Sequence, residues 1–134
     1  QLGFNYRPDL KDSEKKPTLQ IDGIATHRDA MYVIECKGWG MKPLYDHRNR
    51  QQDLERDLKG IVDGVKYTRK YELKRKVSLL HKIEFVKKNM EIWGFNPALF
   101  ADVQGLIVIR ASPPIREYKG VKIISVNQMD QLGK

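Results

Sequence analysis

The sequence predicts an α/β domain built on a mixed central sheet, and three observations carry that expectation. Two short strand-like runs stand back to back between Thr18 and Trp39, two stretches with apolar residues at helical spacing follow between Gln51 and Trp93, and two more short apolar runs close the chain, Val103 to Arg110 and Gly120 to Val126. The expected order is hairpin, helix, helix, strand, strand, short helix, and a helix with one apolar stripe must bury it against another element, here the sheet.

The hairpin comes first. In its first run Leu19, Ile21, Gly23 and Ala25 share one face and Gln20, Asp22, Ile24 and Thr26 the other. In the second, Tyr32, Ile34 and Cys36 lie opposite Met31, Val33, Glu35 and Lys37. His27, Arg28, Asp29 and Ala30 are the polar break, and the shortest loop there is Arg28 and Asp29, pairing His27 with Ala30. Counting outward sets Asp22 opposite Glu35. Directly opposed like charges are unfavourable, so a positive charge is expected between them, and a divalent cation with oxygen ligands supplies one. Lys37 is on the same face.

Ahead of the hairpin, Gln1 to Tyr6 is expected to make at most a short strand, and Asp9 to Lys16 a charged loop. Gly38 to Arg50 reads as a polar loop at the mouth of the motif. A helix is expected from Gln51, with Asn49 as cap and Leu54, Leu58, Ile61, Val62 and Val65 as its apolar face. A second, basic helix is expected over Tyr71 to Trp93, stopped by Gly94. Val103 to Arg110 is apolar on both faces, as suits a central strand. Gly120 to Val126 adds another strand, and Asn127 caps a final short helix.

Length suits one domain: 134 residues bury a real core but leave no room for two. The net charge of +8 and the pI of about 9.6 point to a polyanionic partner. No apolar run approaches the roughly 20 residues of a membrane span. A single cysteine, Cys36, makes no internal disulfide, which fits a reducing, cytoplasmic setting. His27, His47 and His81 are scattered without metal-ligand spacing.

Asp22, thirteen intervening residues, and Glu35-Cys36-Lys37 at the end of an apolar strand resemble the core motif of the PD-(D/E)XK, or restriction-endonuclease-like, nuclease superfamily. The resemblance implies a mixed sheet flanked by helices, with the second helix as an inserted basic element. It implies a Mg²⁺- or Mn²⁺-dependent nuclease hydrolysing phosphodiester bonds, in restriction, repair, recombination or defence. Asp22, Glu35 and the Cys36 carbonyl would hold the metal, and Lys37 would orient the attacking water. Ile21 stands where the pattern has proline. Members of the superfamily carry a helix before the hairpin, and the short run here is read as that of a domain excised from a longer protein. The same resemblance assigns a supporting role to Lys59, Asp63 and Tyr67 on the first helix.

The triplet alone is weak, because Glu-x-Lys recurs at Glu14, Glu72 and Glu117. Only Glu35 has an apolar strand before it and an acid across a hairpin. The competing reading of Glu35 and Lys37 is a solvated charge pair on a sheet face. Lys66, Arg69, Lys70, Lys74, Arg75 and Lys76 form the densest basic run and are the expected nucleic-acid contacts, with a solvated helix face as the alternative. DNA is the expected partner, and RNA is also compatible. A catalytically inactive binding module of the same fold is the alternative function.

Overall fold

Three antiparallel strands start the chain: β1 (Asn5–Lys11), β2 (Gln20–His27) and β3 (Ala30–Lys37). The computed structural model describes residues 5–11, 19–37, 50–69, 72–110 and 113–131. The hairpin has the expected register, His27 opposite Ala30 and on to Gly23 opposite Ile34. Arg28 takes the left-handed φ of 57° that the first position of such a two-residue loop favours. The charged loop expected from Asp9 does not begin there: β1 continues to Lys11, because Leu10 is buried in the core opposite Ile21, and the rest of that stretch, residues 12–16, lies outside the described residues. The loop expected at Gly38 and the Asn49 cap lie outside the described residues.

Helix α1 (Arg50–Asp63) buries Leu54, Leu58 and Val62. It ends two residues before Val65, because Gly64 turns left-handed (φ 84°) and donates its N–H to the Gly60 carbonyl at 2.8 Å. The long basic helix expected over Tyr71 to Trp93 does not form. Its first part, Glu72–Lys76 (β5), instead pairs with the segment ahead of it, Val65–Arg69 (β4), in a two-stranded antiparallel ribbon, a sheet of its own. Helix α2 spans only Leu79–Asn89, started by Ser78, whose hydroxyl accepts from the His81 N–H at 3.0 Å. The helical apolar stripe begins at Leu79. Upstream, Val65, Tyr67 and Thr68 are strand-favouring residue types.

After a 3₁₀ turn, Met90–Trp93, closed by left-handed Gly94, the chain enters β6 (Asp102–Ile109). β7 (Glu117–Tyr118) and β8 (Val121–Ser125) form a tight hairpin around Lys119 and Gly120, both at positive φ. The last helix is a 3₁₀ element, Val126–Gln131.

The result is an α/β fold with a six-stranded mixed sheet, ordered β1-β2-β3-β6-β8-β7. β6 is parallel to both β3 and β8 and is buried on both faces, as its sequence predicts. One face carries Ile24, Met31, Val33, Ile107, Ile109 and Ile123 against the buried stripes of α1 and α2. On the other, Ala25, Tyr32, Ile34, Leu106 and Val108 form a smaller cluster. α2 lies on β3 and β6. Gly105 lets it do so: a Cβ there would stand 2.7 Å from Ile83 Cδ1 and 2.9 Å from Val121 Cγ2.

Candidate active site

Glu35 follows Met31 and Val33 on the helix-covered face of β3, so its carboxylate is forced beneath α2, where only 8% of the residue remains exposed. Two ammonium groups meet it there. Lys37 Nζ lies 3.4 Å from Oε1, and Lys82 Nζ, from the first turn of α2, donates to Oε2 at 3.1 Å. Each carboxylate oxygen therefore has its own cation in a largely dry pocket, where one charge left alone is costly.

Asp22 lies one step beyond the last regular pair of the hairpin. In register Cys36 faces Ile21, whose carbonyl would accept the Cys36 N–H if the ladder ran on. Instead Asp22 Oδ2 accepts that proton at 2.9 Å. The side chain thus takes a ladder position between the two strands, against the Glu35–Cys36 peptide. The alternation of β2 shifts at the same point, since Ile21 and Ile24 both join the helix-side core. The described contacts bring Asp22 to the backbone of the motif and Glu35 to two lysines, rather than setting the carboxylates on each other.

Tyr6 of β1 lies over Gly23, with its ring carbons 2.5 to 2.8 Å from where a Cβ would stand. Its hydroxyl is pushed to a higher pKa by desolvation, then by Cys36 and Asp22. The Cys36 thiol is raised too, first by desolvation and then by Asp22 and Glu35, although the residue as a whole is exposed. Asp9, at positive φ (56°), is skipped in the β1–β2 pairing opposite Asp22, and its Oδ1 accepts from Gln20 Nε2 at 2.6 Å. Among the described residues no three His, Cys, Asp or Glu side chains gather closely enough to hold a metal by themselves. A metal at the motif would draw on Asp22, Glu35 and a backbone carbonyl.

The supporting trio does not assemble at this motif. Tyr67 lies on β4, not on the helix. Asp63 accepts from Tyr118 Oη and Lys119 Nζ, both at 2.7 Å, and Lys59, paired with Glu55 at 3.0 Å, lies 5.4 Å from the centre of the Tyr118 ring. The Lys119 ammonium, followed by the Tyr118 hydroxyl, holds the Asp63 carboxyl below the usual range. This cluster ties α1 to the β7–β8 turn, at the edge of the sheet three strands from β3. Of the basic run, Lys66, Arg69, Lys74, Arg75 and Lys76 lie on the β4–β5 ribbon rather than a helix, and Lys70 is outside the described residues.

Lys82 is the residue that the sequence reading of the site missed. Its signal was available: three residues after Leu79 and four before Val86, it is a lysine on the rim of a buried stripe. A scan against protein-family models and searches of curated proteins and solved structures give no match to this chain.

Proposed function

We propose that this domain is a metal-dependent nuclease of restriction-endonuclease-like fold that hydrolyses phosphodiester bonds of DNA. The observation that carries the reading is the junction of Asp22 with the Glu35-Cys36-Lys37 segment: an acid locked onto the backbone of the motif, beside a second acid and a lysine, where a hairpin opens. The donors suit a hard cation. Among the described residues Asp22 Oδ1 has no partner, and Glu35 already accommodates positive charge at both oxygens, with ammonium groups standing in. Asp22, Glu35 and the Cys36 carbonyl would hold Mg²⁺ or Mn²⁺, which when bound supplies charge stabilisation at phosphate and a more acidic water. Lys37 orients the nucleophile and supports the charge that develops on the phosphate oxygens. Lys82 keeps the Glu35 carboxylate beneath α2.

The test is cleavage of supercoiled plasmid with Mg²⁺ or Mn²⁺. Activity is expected in the parent protein and a loss of at least about a hundredfold in Asp22→Ala and Lys37→Ala, with circular dichroism showing both variants folded. Mn²⁺ titration by calorimetry should show binding that Asp22→Ala abolishes. A second reading, a noncatalytic nucleic-acid-binding module, is favoured by the engagement of both Glu35 oxygens in ion pairs, which gives that acid a structural task. DNA binding with neither cleavage nor Mn²⁺ uptake would select it.

A further inference from the structure

We propose that the β4–β5 ribbon is an arm that enters the major groove of double-stranded DNA and holds the duplex beside the candidate active site. This rests on the nucleic-acid partner of the reading above but not on catalysis.

Three observations on the backbone and sequence carry it. First, the ribbon is a separate two-stranded sheet between two sharp boundaries, left-handed Gly64 and the Ser78 cap. Among the described residues β4 and β5 pair only with each other. With five residues in each strand, its length is about 17 Å. A two-stranded ribbon is one of the two elements that the roughly 12 Å wide major groove admits.

Second, its charge is concentrated. β4 and β5 hold five basic residues, Lys66, Arg69, Lys74, Arg75 and Lys76, against one acid, Glu72. The register sets Lys66 directly opposite Arg75, while Glu72 lies opposite Arg69. Like charges facing each other across a ribbon oppose its formation. Phosphates on either side of a groove reverse that penalty by releasing counterions.

Third, the arm is short-tethered to the site. From Lys76 the chain runs three residues to Leu79, and Lys82, which holds Glu35, is one turn further. The two Cα positions are therefore within about 15 Å of each other.

The measurement is binding of the parent protein to a fluorescent 25-base-pair duplex in EDTA over a range of salt concentrations. Duplex RNA and the single strands serve as competitors. Lys66→Gln/Lys74→Gln/Arg75→Gln should weaken duplex binding at least tenfold and lower the slope of log K against log salt by about 3. A control that removes the same charge from the exposed Lys88, Arg116 and Lys122 should change both much less. Because the triple variant could lose its ribbon, Lys74→Gln alone is included, with an expected fall in slope of about 1. Duplex RNA, whose major groove is too narrow, should compete poorly. The proposal is overturned if the ribbon variants bind as the parent does, if the control weakens binding equally, or if RNA or single strands compete as well as duplex DNA. Unchanged binding would leave the lysines as protection of two open strand edges. EDTA keeps the outcome separate from cleavage: a duplex-binding protein that never cuts refutes the nuclease and leaves the arm standing.

Discussion

At the scale of single residues, the decisive arrangement is one glutamate between two lysines. Lys82 and Lys37 each hold one oxygen of Glu35, and the side chains of Glu35 and Lys82 are only 11% and 13% exposed. Glu35→Gln leaves two ammonium groups without their anion and should destabilise the fold by about 1–3 kcal/mol in urea unfolding. Lys82→Met keeps the stem that covers the sheet and removes the charge, so it should cost less than Glu35→Gln. The double variant should lose less stability than the two single losses summed, the sign of direct coupling. Strict additivity would mean that the pair contributes nothing.

Among elements, the fastening of α1 to the β7–β8 turn is electrostatic. Asp63 holds Tyr118 and Lys119, and because its folded pKa is depressed, its contribution is present above the unfolded carboxylate pKa and lost as pH falls through the lower, folded value. The melting temperature of the parent protein should therefore exceed that of Asp63→Asn at neutral pH, and the two should converge as the pH falls well below the ordinary aspartate range. The pair is exposed, so the gap should be small and should shrink further in high salt. A gap independent of pH would sink this account.

For the whole molecule, one sheet carries the core. β6 lies between β3 and β8, with Ile107 fully buried toward the helices and Leu106 fully buried toward the opposite face. Ile107→Ala should lower stability by about 2–5 kcal/mol. Tryptophan fluorescence and far-ultraviolet circular dichroism should report it in one shared transition, since Trp93 belongs to the same helix-side core. Separate transitions for the two probes would show that the helix layer melts apart from the sheet.

Much of this architecture was written locally. Alternation fixed the β2–β3 register, the doubly apolar run fixed β6 as a central strand, and Leu54, Leu58 and Val62 fixed the buried stripe of α1. These signals are legible because each strand or helix states its own period. The β4–β5 ribbon was not legible, because lysine and arginine suit helix and strand surfaces alike and no apolar period decides between them. The motif residues Asp22, Glu35 and Lys37 were legible by spacing. Their partners were decided by the tertiary structure alone: Lys82 reaches Glu35 across 47 positions of chain, and Asp63 reaches Lys119 across 56. Such pairings depend on where helices come to rest on the sheet, which is set by the packing of Gly105, Ile83 and their neighbours rather than by any local pattern.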